Sequence, residues 1–335
     1  MNHSTLIACI WDFDKTLIPG FMQEPLFKAF DLDAKQFWRE VNALSEIYAK
    51  RNVGVSEDLM YLNHLLTYVK SGWLRGLNNK KLRELGAELP LFDGLPEFFQ
   101  TLKDFVKEDT MFQKHHIQLE HYIISCGLAE MVRGSKIASY VDGIFGCEFI
   151  EEPMLPGFLT QQTMSLEVNE HEISQIGRVV DNTTKTRYLF EINKGVNKDP
   201  RVNVNASMPR EERRIPMENM IYIADGSSDI PMFAIMKEHG GKTFAVYHPN
   251  SMHEFMQNDI LLANGRVDCY GPADYLPGSS TYRWITMHVR KIAEKIVMQR
   301  EQSLQAKLIN PPEHRNKDED LVSIQKQPDL FSTHF

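Results

Sequence analysis

Apolar positions along the chain fall into two alternating kinds of run. Leu6-Ile7-Ala8-Cys9-Ile10-Trp11 is a short, nearly continuous apolar stretch that ends in carboxylates and is followed by the turn signal Pro19-Gly20, which predicts a buried strand. From Glu24 to about Leu89 the period becomes helical. Phe37, Val41, Leu44 and Tyr48, then Leu59, Leu62, Leu66 and Val69, recur at steps of three and four and predict a separate small helical module. A turn through Asp93-Gly94-Leu95-Pro96 leads into a helix carrying Phe98, Phe99, Leu102 and Val106, and His121-Tyr122-Ile123-Ile124-Ser125 predicts a second buried strand.

A helix over 128–140 and an apolar segment over 143–150 come next. The weak pattern of 151–180 predicts a small antiparallel excursion, 184–192 a helix, and 194–216, rich in Asn, Arg, Lys and Pro, a mobile loop. Buried strands are predicted again over 220–224 and 243–247, with a helix through Phe233 and Met236 between them. Tyr282, Ile285, Val289, Ile292 and Ile296 mark one last amphipathic helix before a polar stretch. Alternating strand and helix favours a parallel sheet with crossover helices.

Composition narrows the function classes. The chain has 335 residues, 42% hydrophobic and 24% charged, enough apolar material for a substantial core. A net charge of -8 argues against a nucleic-acid partner, whose phosphates are held mainly by Lys and Arg. Cys9, Cys126, Cys147 and Cys269 never come closer than about twenty residues, which excludes CxxC pairs and a dense disulfide framework and predicts reduced, cytoplasmic thiols. No export signal is visible, and no run reaches the ~18 apolar residues a membrane helix needs.

The chemistry-bearing residues cluster at predicted strand ends. Asp12-Phe13-Asp14-Lys15-Thr16 puts two carboxylates just past the first strand, where open parallel sheets bind their ligands. The second strand exits into Ser125-Cys126-Gly127, a hydroxyl and a Gly at a strand-to-helix turn able to hold a phosphate oxygen. The 220–224 strand exits into Asp225-Gly226-Ser227-Ser228-Asp229, and Lys185 lies near the start of a helix. Four carboxylates, a Ser and a Lys in these places suit a metal-assisted phosphate site, and oxygen-only donors suit magnesium.

In these motifs the chain resembles the haloacid dehalogenase superfamily, and within it the phosphoserine-phosphatase-like hydrolases. The matching stretches are Asp12 to Thr16, Ile124 to Gly127, Lys185, and Ala224 to Asp229, in the family's order. The resemblance implies Asp12 as nucleophile, Asp14 as general acid/base, Ser125 as phosphate ligand with Thr16, Cys126 and Gly127 beside it, and Lys185 as the charge-balancing cation. It implies Mg2+ held by Asp225 and Asp229 together with Asp12 and Asp14. It also implies that the helical module is a cap closing over the site. The expected fold is then α/β, a doubly wound parallel sheet (Rossmann-like core) with an inserted α-helical cap domain. The expected boundaries are 1–19 and 90–300 for the core, 20–89 for the cap and 301–335 for a polar tail.

Plainer roles compete at each position. Thr16 can merely satisfy backbone groups, Asp229 before Ile230-Pro231 can be a helix cap, and Lys194 or Lys198 can replace Lys185 if the loop folds back. Cys126 has its nearest following arginine, Arg133, one position too late for a Cys-x5-Arg phosphate loop, and is expected to be a buried cysteine. Phe37, Trp38, Tyr48 and Met60 of the cap are expected in its core, and His115-His116 in a solvated loop. The expectation is a magnesium-dependent phosphomonoesterase that acts on a small phosphorylated metabolite through an aspartyl-phosphate, with no nucleic-acid or membrane partner. Phosphoryl transfer to an acceptor other than water, or a silent binding protein on the same fold, are the alternatives, and dehalogenation is more distant because Asp14 supplies an acid that a halide leaving group does not need.

Overall fold

The computed structural model describes residues 4–154, 156–160 and 171–309. In chain order its elements are β1 (Leu6–Trp11), α1 (Glu24–Ala29), α2 (Ala34–Ala49), α3 (Glu57–Lys70), α4 (Asn79–Gly86), α5 (Glu97–Glu108), α6 (Thr110–Lys114) and β2 (Gln118–Leu128). Then follow α7 (Ala129–Gly134), β3 (Gly143–Ile150), β4 (Gln175–Arg178), α8 (Lys185–Lys194), β5 (Met220–Ala224), α9 (Ile230–Glu238), β6 (Lys242–Tyr247), α10 (Met252–Ala263), β7 (Cys269–Pro272) and α11 (Ser280–Ile309).

Among the described residues the strands form one seven-stranded sheet in the order β4-β3-β2-β1-β5-β6-β7. All neighbours pair parallel except β3 with β4. Without the antiparallel β4, the parallel strands numbered in sequence read 3-2-1-4-5-6, the doubly wound order, and the order reverses between β1 and β5. A strand buried on both faces must be apolar throughout. β1 and β5 satisfy this, since Ile7 to Trp11 and Met220 to Ala224 are fully buried.

Register brings the strand ends level. Trp11 pairs with Ile123 on one side and Ile223 on the other, so Asp12, Ser125 and Asp225 emerge at one edge of the sheet. Trp11 fixes that edge by stacking on Phe99 (ring centroids 4.6 Å apart) and donating its indole N–H to His121 Nδ1 at 3.2 Å. His121 Nε2 bonds the Phe99 carbonyl at 3.0 Å, and burial lowers this imidazole to about 3, which keeps it the neutral acceptor that Trp11 needs.

Helices α1–α6 lie in the chain between β1 and β2, and α1–α4 occupy the predicted helical run. Asp33 caps α2 by accepting from Lys35 N and Gln36 N, and Asn78 caps α4 by accepting from Lys81 N at 2.7 Å. α4 lies flush on α7 because both present glycine: a Cβ at Gly86 would sit 2.0 Å from the Met131 carbonyl oxygen, and one at Gly134 would sit 1.9 Å from that of Arg83. Arg83 also pairs with Glu130 across the same contact.

Several local expectations shift. The helix expected over 128–140 is only α7, because β2 continues to Leu128 and Ser135 Oγ turns back to the Val132 carbonyl at 2.7 Å. α11 continues to Ile309, past the 301 boundary expected for the tail, and residues 310–335 lie outside the described residues. The antiparallel excursion is β4, part of whose approach lies outside them too. His115 is buried rather than solvated, at 5% exposure, since its imidazole turns to Glu301 of α11 at 3.6 Å while His116 takes the positive-φ turn position. α10 escaped detection because Met252, Met256 and Ile260 face outward, which blurs its apolar period.

Candidate active site at the ends of β1, β2 and β5

Each expected site residue can be placed. Asp12 continues β1 by donating its N–H to the Ile223 carbonyl at 2.9 Å, so its side chain leaves the sheet at the reversal point between β1 and β5. The chain then turns tightly: Leu17 N bonds the Phe13 carbonyl at 2.8 Å, and Lys15 sits at φ 55°. Asp14, on this turn, accepts the Met22 N–H on Oδ1 at 3.0 Å. Ser125, Cys126 and Gly127 lie where the pairing of β2 with β3 shifts register, between Ile124 and Leu128, and that irregularity turns the stretch toward the same edge.

Lys185 arrives on the crossover between β4 and β5. Asp181 Oδ1 accepts from Thr183 N at 2.8 Å and Thr184 N at 2.6 Å, which starts α8 and sets Lys185 as its first residue. Its ammonium, 1% exposed, donates to Asp12 Oδ1 at 2.8 Å and Asp229 Oδ1 at 2.6 Å. Lys194, the alternative, points to the 204–206 loop and donates to the Val204 and Ala206 carbonyls, while Lys198 reaches the Asp142 carbonyl at 3.1 Å. The Lys at the carboxylates is therefore Lys185. Asp229 precedes α9 but makes no side-chain cap bond; besides Lys185 its carboxylate accepts from the Tyr222 hydroxyl and, at 3.0 Å, from Ser228 Oγ.

Asp12, Asp225 and Asp229 each offer an oxygen within 4.8 Å of the others, which is a group able to hold a metal ion. Asp14, expected with them, is not in this trio, because its turn carries it toward Met22. Fully ionised, three carboxylates and one ammonium leave a local charge of -2, the complement of one divalent cation. The donors are all carboxylate oxygens, which matches a hard cation rather than zinc. Burial resists ionisation here. It raises Asp12 to about 6 against the opposing pull of Lys185, and raises Asp225 well above the carboxylate range with help from the Asp12 charge. Asp14 rises to about 8 through burial and the Asp12 charge, opposed by the Met22 N–H.

A cavity of ≈ 210 Å³ joins these groups. Asp12, Asp14, Lys185 and Asp225 line it together with Ser125, Cys126 and Gly127; Asp229 sits behind Lys185, and Thr16 is absent from the lining. Thr16 instead anchors the turn, its carbonyl accepting the Tyr275 hydroxyl at 2.6 Å. Cys126 is half-buried and faces the cavity rather than the core, and burial raises its thiol beyond the range of a thiolate nucleophile. Gly127 leaves room for Met22, whose methyl carbon would lie 2.2 Å from an added Cβ.

Other lining residues carried no sequence signal. Tyr61 stands off the apolar stripe of its helix, yet its hydroxyl donates to the Cys126 carbonyl at 2.6 Å and ties α3 to the 125–127 stretch. Asn182 lies in the loop before α8 and meets Cys126 Sγ at 3.6 Å. Phe21, Gln23 and Trp38, the last expected in the cap's core, complete the outer wall, with the Gln23 side-chain Oε1 buried and unpaired.

Comparison with known proteins gives one relative by sequence and several by fold. The chain is 37% identical over 288 residues to a protein of Borreliella burgdorferi described as "Uncharacterized protein", spanning 85% of this chain and 96% of that one, and it belongs to one family with that protein. No protein-family model matches the chain. Among solved structures it is similar to a HAD-family hydrolase from Salmonella enterica serovar Typhi (14% identity, 80% of this chain and 67% of that chain, TM-score 0.47). It is also similar to a phospho-aspartyl intermediate analogue of phosphoserine phosphatase (14% identity, 80% and 93%, TM-score 0.41).

Proposed function

We propose that this chain is a phosphomonoesterase of the haloacid dehalogenase type, dependent on magnesium and acting on a small phosphorylated metabolite. The observation that carries the reading is the buried Lys185 ammonium, bonded at once to Asp12 and Asp229 beside Asp225, from three separate stretches of the chain. A merely structural ion pair has no need of two further carboxylates, Asp14 and Asp225, on an open cavity.

A divalent cation held by Asp12 and Asp225 would draw off negative charge from a phosphate dianion and from the carboxylate that attacks it. The remaining work falls to side chains. Asp12 attacks phosphorus through a carboxylate oxygen, the bond from phosphorus to the ester oxygen breaks, and Asp14 gives its proton to the departing alkoxide. Water then attacks the aspartyl-phosphate, Asp14 takes the proton back, and the bond between Asp12 and phosphorus breaks to release inorganic phosphate. A carboxyl at about 8 beside one at about 6 is suited to this division, since one holds a proton at neutral pH while the other does not. Lys185 restrains Asp12 and offsets charge, and Asp229 with Tyr222 holds Lys185. Ser125, whose Oγ accepts the Gly127 N–H at 3.0 Å and keeps its own proton to donate, is suited to a phosphate oxygen.

The cytoplasmic expectation belongs to this reading, in keeping with four free cysteines; among the described residues no helix is long and apolar enough to cross a membrane. Phosphate release from a panel of phosphomonoesters, with and without magnesium, tests the proposal. Turnover that needs the cation and vanishes in Asp12→Asn is expected, and full activity of Asp12→Asn would end it.

A further inference from the structure

The outer wall of the catalytic cavity is built from three aromatic side chains of the segment between β1 and β2: Phe21, Trp38 and Tyr61. Of the aromatic residues expected in that segment's core, Phe37 is buried at 1% exposure, whereas its neighbour Trp38 turns to the cavity. Phe21 is 49% exposed at the cavity mouth, although Met22 beside it is fully buried. Two of the rings are held in place. Trp38 packs edge-on against Phe37 (5.4 Å, 84°) and Phe27 (6.3 Å, 81°), and the Tyr61 hydroxyl is fixed on the Cys126 carbonyl.

Phe21 and Trp38 also line a second, larger cavity of ≈ 490 Å³ with Phe27, Ala34, Lys35 and Arg39 among its other walls. The inner cavity of ≈ 210 Å³ is below the ~300 Å³ at which pockets begin to enclose a whole organic ligand, so a leaving group larger than a few atoms must extend along the wall that the two cavities share. That wall presents the ring of Trp38, held by its aromatic neighbours, and the ring of Phe21 at the mouth, a surface suited to a planar π-system.

We infer that the leaving group of the substrate bears a flat aromatic ring that packs against Trp38 and Phe21. This rests on the phosphomonoesterase reading and adds the substrate class to it. Esters whose leaving alkoxides are matched in basicity isolate the ring from the chemistry. 2-Phenylethyl phosphate and 2-cyclohexylethyl phosphate differ in the flatness and π-character of one ring, and ethyl phosphate lacks it. The expected result is a kcat/KM for the phenyl ester about tenfold above that of the cyclohexyl ester, carried mainly by KM. Trp38→Ala should erase that ratio and Trp38→Phe should restore part of it, in proteins whose thermal melts match the parent. Equal kcat/KM for the two ring esters, with phosphate still released from all three, overturns the ring subsite and leaves the hydrolase reading standing. Release from none of the three, with magnesium present, overturns both.

Discussion

Asp14→Asn provides a direct measure of what burial does to the second carboxylate. In the metal-free protein this group rises from 3.8 to about 8 because it is removed from water and faces the Asp12 charge. In the unfolded chain it ionises near 3.8, so between roughly pH 4 and 8 the folded state binds the extra proton and stability falls as pH rises. One such group contributes at most about 1.4 kcal/mol of destabilisation per pH unit, which accumulates to about 4 kcal/mol by pH 7. Asparagine carries no proton to lose, and its carbonyl oxygen can still accept the Met22 N–H. The variant should therefore gain on the parent by about 2 kcal/mol between pH 6 and pH 8, the titration of Asp12 near 6 being common to both proteins. Urea unfolding in EDTA at pH 6, 7 and 8 reads that gain as a growing separation of midpoints at constant slope. A separation that stays the same across this range would refute the argument, since it would mean that Asp14 ionises alike in both states.

Other consequences follow from the same geometry. Lys185→Met should lose turnover far more severely than Lys194→Met, whose ammonium serves only the 204–206 loop; the opposite ranking in a phosphate-release assay would move the motif. Asp229→Asn should lower stability by about 3–5 kcal/mol, because it strips one partner from the buried Lys185, and chemical denaturation near neutral pH would detect it. Magnesium should raise the melting temperature, and more at pH 8 than at pH 6, since Asp12 and Asp225 must give up protons to bind it; a pH-independent increment would count against the carboxylate trio. Gly86→Ala should destabilise by about 1–3 kcal/mol, because its new methyl group meets the Met131 backbone rather than a side chain that could move aside.

What the sequence determined was local or periodic. β1 and β5 announce themselves because a strand buried on both faces is apolar without interruption, and Asp12 and Asp14 are legible because they follow β1 directly. The helical run after Gly20 is equally plain from its three-four spacing. β7 and α10 were not, since a four-residue half-buried edge strand and a helix with outward-facing Met and Ile residues carry no clean period.

Only the tertiary structure chose among chemically equivalent residues. Lys185 and Lys194 open and close one helix, about 13 Å apart along its axis, so a single one can reach Asp12, and the crossover from β4 to β5 decides which. Phe37 and Trp38 are neighbours in sequence but about 100° apart around α2, and packing against α1 and α3 sends one to the core and the other to the cavity. Asp229 became a partner of Lys185 rather than a helix cap for the same reason. Periodicity reports which face of an element is apolar, whereas the meeting of side chains from opposite ends of the chain depends on how the crossovers wind the sheet.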